Sequence, residues 1–257
     1  MSELTLTELA PGLHRLLVPG GAAHLLNVYL WCEGTEVTLI DTGWAGSSTL
    51  IARALATLGR KPSDVARIIL THFHEDHAGA AAEIIGWGDV EVVAGADDAS
   101  FVAGTSRGPL PVLTEAERSI HPESQDPPHG PACRVDRLVR DGDVLNFAGG
   151  ARVIATPGHT PGSIALFLPE PGAVLTGDAV AELNGDVILG VFNVDRAIAR
   201  ASLTRIADTN AQIAGFGHGN PVLTEAFRRI QNATDPFAEP VAEPVAEPFA
   251  DPVTREP

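Results

Sequence analysis

Cysteine is nearly missing from this sequence. Two occur in 257 residues, Cys32 and Cys133, far apart and in no C-x-x-C spacing. That excludes a disulfide framework and makes a reducing, cytoplasmic setting the expected one. Long apolar runs are missing too. None reaches the roughly eighteen consecutive apolar residues of a membrane span. The opening stretch, MSELTLTELAPG, has no basic segment followed by an apolar one, so no secretory leader is expected there. Positive charge is scarce: 17 Lys and Arg face 33 Asp and Glu, a formal net charge of −16. Residues 235–257 hold six acids and one arginine, so −5 of that charge lies in the tail and −11 in the body. An acidic body is repelled by phosphate backbones and anionic lipid, which argues against nucleic acid and membrane surfaces as partners.

What is present is enough apolar residue, 44%, to bury a core. Strand-like segments are expected at 12–18, 25–31 and 36–43, the last two forming a hairpin turning at Gly34. Helical spacing follows over 47–59, then a strand at 66–70, a helix over 78–86 and a strand at 90–95. Residues 104–131 are rich in Gly and Pro and read as a lid or binding loop, interrupted by a short helix over 114–120 whose capping box is Thr114 with Glu117. Strands resume at 134–139, 143–147, 151–158, 163–169 and 173–178, and again at 211–219. Helices are expected over 196–209 and 224–233. Two groups of strands, each followed by helices, suggest an α/β fold of two sheets packed face to face with helices outside. The body is taken as residues 1–234. From 235 the chain runs into PFAE-PVAE-PVAE-PFAD, where proline at every fourth position forbids a helix interior or a paired strand. That tail is expected to be extended, disordered and acidic.

The chemistry concentrates in THFHEDHAGA, residues 71–80, at the end of the strand-like ARIIL. His72, His74, Asp76 and His77 crowd into six positions. Clustered imidazoles repel when protonated and desolvate poorly when buried, and a divalent cation removes both costs, because neutral imidazole and carboxylate are its ligands. Three further strand ends carry a candidate ligand beside glycine: His159 in TPGHTPGS, Asp178 in LTGDA and His218 in GFGHGN. Glycine lets the backbone turn sharply and brings a short ligand close. Glu75 alternates away from its neighbours and reads as either supporting the ligands from behind or facing solvent. His14, His24, His121 and His129 sit in no ligand pattern, with His121 and His129 expected on the surface of the lid. Tyr29, the only tyrosine, reads as a packing residue.

In that order, His72, His74, Asp76, His77, His159, Asp178 and His218 resemble the ligand set of the metallo-β-lactamase-fold superfamily of dinuclear hydrolases. The resemblance runs from about Gly12 to Ala233, and LIDTG at 39–43 resembles the family segment whose aspartate, here Asp41, supports the ligand loop. It implies a four-layer αβ/βα sandwich with the site at one edge between two mixed sheets. It also implies two zinc ions, iron or manganese being acceptable to the same ligands. His72, His74 and His159 would hold the first ion. Asp76, His77 and His218 would hold the second, with Asp178 bridging. A hydroxide between the ions would attack a carbonyl, and Asp76 would shuttle a proton to the leaving group.

Departures from particular branches narrow the substrate. Secreted β-lactamases of this fold carry leaders, and those with the most similar first motif lack the bridging aspartate that Asp178 supplies here. RNA-processing members need a basic surface. The flavin-linked oxygen reductases replace a first-motif histidine with glutamate. Quorum-quenching lactonases resemble HFHEDHAG and TPGHTPGS, but many use a tyrosine shortly after the bridging aspartate, where this chain has Ala179, Val180, Ala181 and Glu182. Thioesterases of the glyoxalase II kind carry a basic helical C-terminal region, and the tail here is acidic and proline-rich. The expectation is a zinc-dependent hydrolase of a small ester, lactone or thioester. Alternatives are a mononuclear iron persulfide dioxygenase using His72, His159 and Asp178, and a non-catalytic, metal-stapled binding module. Val180, Leu183, Ile188, Leu189, Val191 and Phe192 line either an acyl pocket or the core.

Overall fold

The computed structural model describes residues 4–20, 24–120 and 128–238. The last stretch of the expected tail, 239–257, lies outside the described residues, as do His121 and the rest of 121–127 in the expected lid.

The first sheet takes its seven strands in chain order: β1 (Thr5–Ala10), β2 (Leu13–Gly20), β3 (His24–Glu33), β4 (Glu36–Ile40), β5 (Val65–Leu70), β6 (Glu91–Gly95) and β7 (Arg137–Val139). β1 to β4 are antiparallel, and β4 to β7 are parallel. Helices α1 (Ser48–Thr57), α2 (Glu75–Ala78) and α3 (Ala81–Ile84) lie in the β4–β5 and β5–β6 connections, and α4 (Ala99–Val102) and α5 (Glu115–Ile120) follow β6. The second sheet comprises β8 (Val144–Leu145), β9 (Ala151–Ala155), β10 (Ile164–Leu168), β11 (Ala173–Leu175) and, after an excursion, β14 (Ile213–Gly215), in the order β14-β11-β10-β9-β8. The excursion is a hairpin of β12 (Val180–Leu183) and β13 (Asp186–Leu189), then α6 (Arg196–Ala207). α7 (Ala226–Gln231) closes the body.

Alternation along the strands builds the layers. Ile68 and Leu70 of β5 face Ile51, Leu55 and Ile84 of the α1–α3 layer, while Ile69 between them faces the opposite sheet. On β10, Ile164, Leu166 and Leu168 meet Tyr29, Trp31, Ile40 and Ile69 across the interface between the sheets. Ala165 turns instead to Leu203 and Ile206 of α6 and Ile230 of α7. Strands buried on both faces need apolar residues at every position, which is why these read as continuous runs. Each such side chain contributes about 1.5–3 kcal/mol relative to exposure. The result is the four-layer αβ/βα sandwich that the family resemblance implies.

Several differences are informative. β1 gives no apolar run in the sequence, because its residues are mostly exposed or half-buried. The expected helix over 78–86 is instead α2, α3 and a 3-10 turn at Ile85–Trp87, and α2 begins inside the ligand motif. The β12–β13 hairpin is likewise absent from the sequence reading. Val180, Ile188 and Leu189 are buried and Leu183 is exposed, so the first three are core. The capping box of α5 forms as expected: Thr114 N–H donates to Glu117 Oε2 at 2.9 Å and Glu117 N–H to Thr114 Oγ1 at 3.2 Å. The described part of 104–131 is tied to the body, Val112 N–H donating to Asn193 O at 2.9 Å and Glu75 N–H to Pro128 O at 3.1 Å.

Candidate metal centre

Five chain segments that follow β4, β5, β9, β11 and β14 meet at one edge of the sandwich. They carry Asp41, the 72–77 motif, His159, Asp178 and His218 respectively. The fold therefore brings all the sequence-predicted residues together, in two adjoining clusters: His72, His74 and His159, and Asp76, His77, Asp178 and His218.

In the first cluster three nitrogens converge. His159 Nε2 lies 3.2 Å from His72 Nε2 and 3.0 Å from His74 Nδ1, and the latter two are 3.1 Å apart. Donors bound at about 2.0–2.1 Å in tetrahedral directions around one ion sit about 3.3 Å apart, so this spacing fits an ion. Burial, with mutual repulsion among the imidazoles, holds His72 well below the ordinary histidine range and His74 at about 3; burial also lowers His159. Neutral rings are the ligand form. In the second cluster His77 Nε2 is 3.2 Å from Asp178 Oδ1 and 3.6 Å from Asp76 Oδ2. His218 Nε2 is 3.1 Å from Asp76 Oδ2 and 3.4 Å from Asp178 Oδ2. Burial opposes charge on His77 and His218, but Asp178 and Asp76 outweigh it, raising His77 and taking His218 to about 10. The same pairing overcomes burial at the acids, holding Asp76 at about 2 and Asp178 well down.

The clusters adjoin through Asp178, whose Oδ2 lies 3.9 Å from His159 Nε2. His77 Nε2 and Asp178 Oδ1 are buried without a hydrogen-bond partner. Two orphaned polar atoms facing one another are costly unless a cation lies between the groups. A Cβ at Gly217 would collide with Asp178 Oδ1 and His77 Cε1, so this glycine leaves room that any other residue would fill. The donor set fits divalent cation binding.

Surrounding groups fix the rings. Asp41 is buried and sits at φ 60°. Its Oδ2 accepts from His77 Nδ1 at 2.8 Å and from Thr71 Oγ1 at 2.8 Å, and its Oδ1 accepts from Thr71 N–H at 2.7 Å. Since the Thr71 hydroxyl proton goes to Asp41, its oxygen accepts from His72 Nδ1 at 3.1 Å. His159 Nδ1 donates to Val191 O at 3.0 Å. Each partner leaves the opposite nitrogen bare and facing the cluster.

Sequence reasoning does not single out three supports. Buried Asp98 accepts from Phe73 N–H (3.2 Å), Thr160 Oγ1 (2.7 Å) and Gly162 N–H (2.6 Å), tying the first-motif loop to the His159 loop. Burial, opposed by those bonds, raises its carboxyl to about 6. Arg15 donates to Asn27 Oδ1 (2.7 Å) and Gly219 O (3.2 Å), while Asn27 Nδ2 donates to Phe216 O (3.0 Å), gripping the loop of His218. Tyr29 packs as expected, and its hydroxyl also donates to Phe216 O at 2.7 Å. The third is the loop at Gly190–Val191, where a Cβ on Gly190 would meet Asp178 O. These partners lie far away in sequence, and an acid after a strand is too common a signal to have marked Asp98. His129 is half-buried, its ring 4.8 Å from Phe73, rather than on the open surface.

The family model of the metallo-beta-lactamase superfamily matches residues 24–218. The chain belongs to that superfamily. It is 30% identical over 238 residues to the probable metallo-hydrolase YflN of Bacillus subtilis, covering 86% of this chain and 89% of that protein. Among solved structures it is similar to a metallo-beta-lactamase family protein of Thermus thermophilus, with a TM-score of 0.64 and 28% identity over 88% of this chain and 79% of that one. A subclass B3 metallo-beta-lactamase of Bradyrhizobium japonicum shares the fold, with a TM-score of 0.61 at 20% identity over 88% of this chain and 89% of that one. Superfamily membership and the His/Asp clusters make this protein a metal-dependent hydrolase. Among the described residues no helix is long and apolar enough to cross a membrane.

Proposed function

We propose that the protein hydrolyses a small ester, lactone or thioester in the cytoplasm, using two divalent ions, zinc first among them. The observation that carries this reading is Asp178, whose side chain stands between the two clusters: Oδ1 lies 3.2 Å from His77 Nε2, and Oδ2 lies 3.4 Å from His218 Nε2 and 3.9 Å from His159 Nε2. In this reading His72, His74 and His159 hold one ion, Asp76, His77 and His218 hold the other, and Asp178 serves both. Ions so held would supply Lewis acidity and a water acidic enough to deprotonate near neutral pH.

The chain's own groups do the rest. Asp41 holds His77, and Thr71 holds His72, in the tautomers that ligation needs. Asp76 is the proton carrier: its side chain is 18% exposed while those of His72 and His77 are shut in, so it alone of the first motif reaches the open side besides Glu75. A cavity of about 570 Å³ opens beside His218, with Glu182, Leu183, Asn220, Val222 and Arg229 on its walls. His218 is the one ligand residue among those that line it.

The test is a screen of zinc-loaded and chelated protein against aliphatic lactones, aryl esters and thioesters, with metal analysis. Turnover that needs zinc, disappears in Asp76→Asn and accompanies two ions per chain is the expected result. One iron per chain with oxygen uptake would replace this reading with the persulfide dioxygenase. No turnover of any substrate, with Asp76→Asn indistinguishable from the parent, would leave the metal-stapled binding module.

A further inference from the structure

We propose that Glu117 is a positioning residue for the ligand His159, acting on it through the single peptide group that joins Val191 and Phe192. The inference rests on His159 being a metal ligand, and goes beyond that role.

Glu117 lies on α5, far in sequence from the ligands, and its side chain is fully buried. One carboxylate oxygen, Oε2, completes the capping box with Thr114. The other, Oε1, accepts from Phe192 N–H at 2.9 Å and from Arg196 Nη1 at 3.0 Å. Val191 O, the carbonyl of the same peptide group as that N–H, accepts from His159 Nδ1 at 3.0 Å. The order is therefore carboxylate, amide N–H, amide carbonyl, imidazole N–H, with imidazole Nε2 aimed at the first cluster.

The physics follows from amide polarisation. A carboxylate drawing on the N–H of a peptide raises electron density on its carbonyl oxygen. Linked hydrogen bonds strengthen one another in this way by about 10–30% each. A stronger acceptor at Val191 O draws harder on the Nδ1 proton and makes Nε2 a better donor to a metal. Carboxylates that touch a ligand histidine directly act in the same sense. Arg196 does not cancel Glu117 alone, because its other nitrogens donate to Asp235 at 3.0 and 2.9 Å.

The backbone supports a built arrangement. Phe192 adopts φ 59°, in the left-handed region that a bulky residue avoids. Such a conformation is strained and persists only where its surroundings fix it. Here Val112 N–H donates to Asn193 O at 2.9 Å and Asn193 Nδ2 to Gly190 O at 2.6 Å, closing the strained turn, and Val194 N–H donates to His159 O at 3.2 Å, tying it to the ligand loop. A helix cap needs only the contacts to Thr114. The second oxygen, aimed at this strained peptide, is left over from that role.

The test uses the full chain labelled with 15N at histidine, metal-free, with the His159 Nδ1 proton assigned by its loss in His159→Gln. Glu117→Gln should move that proton upfield while the protons of His77 stay in place. On metal addition, competition with a chelator should show one ion bound about 10-fold more weakly and the other unchanged. Thr114→Ala removes a cap hydroxyl and leaves Oε1 alone, so it should move neither reading. Equal shifts in Thr114→Ala and Glu117→Gln, or a His159 proton unmoved in a folded Glu117→Gln, would overturn the proposal. Should Glu117→Gln fail to fold, Glu117→Asp, which keeps the charge but withdraws it from Phe192, reads the same proton. The proton is observed without substrate, so a failed hydrolase screen and a failed relay are separate results.

Discussion

Replacing Asp41 by Asn tests how much of the centre depends on a group that need touch no metal. The backbone there sits at φ 60°, a region Asn tolerates, so the substitution isolates the side chain. Asp41 accepts three hydrogen bonds, one from Thr71 N–H at Oδ1 and two, from Thr71 Oγ1 and His77 Nδ1, at Oδ2. An amide serves only some of them. With its oxygen toward Thr71 N–H, its NH2 faces His77 Nδ1, and the proton of that ring must move to Nε2, where it blocks the second cluster. With the amide reversed, its NH2 opposes the buried Thr71 N–H, leaving a donor unsatisfied at about 1–3 kcal/mol. Loss of such a ring-orienting partner lowers metal affinity by about 10–100-fold, or about 1.4–2.7 kcal/mol. Losing bonds to a buried charge, at about 1.5–3 kcal/mol each, should cost the metal-free fold about 3 kcal/mol. For a chain of this size that is roughly 6–12 °C in melting temperature. Calorimetry of the metal-free variant and a zinc titration measure the two effects separately. An unchanged melting temperature together with parental affinity at both clusters would refute the claim that Asp41 fixes His77.

Three further outcomes are expected. Between pH 6.5 and about 3, His74 binds more protons unfolded than folded, and His72 and His159 are shifted in the same direction. The stability they permit is complete above 6.5 and drains as pH falls below it, so metal release and unfolding should begin together on acidification, followed by chelator fluorescence and circular dichroism. In the metal-free protein His218 is raised from 6.5 to about 10, so its contribution is complete below 6.5 and lost as pH rises through about 10; zinc binding at pH 8 should release at least one proton, seen as a buffer-dependent enthalpy. Gly217→Ala should abolish binding at the second cluster and weaken it less at the first, which shares Asp178 but keeps His72, His74 and His159, because its Cβ would collide with Asp178 and His77; a zinc titration showing both ions bound as in the parent would contradict this.

Much of the site was legible from residue type and spacing because ligation chemistry is local in the first motif. His72 and His74 sit on the loop after β5, Asp76 and His77 follow directly on α2, and a cation relieves the repulsion and desolvation of such a crowd. The two sheets were legible too, since strands buried on both faces, such as β5 and β10, read as apolar runs. β1 and the β12–β13 hairpin were not, because half-exposed strands leave a weak pattern and core residues in a hairpin look like pocket lining.

By itself the sequence determined the donors: imidazole and carboxylate at the ends of buried strands, with glycine beside His159, Asp178 and His218. Tertiary structure alone decided what makes those donors a centre. Asp41 meets Thr71 and His77, Asp98 ties two ligand loops together, Arg15 and Asn27 grip the loop of His218, and Glu117 reaches His159 across one peptide. The reason is physical. A ligand's identity is a property of one side chain, whereas its tautomer, orientation and charge are set by partners that chain folding brings from far away in sequence.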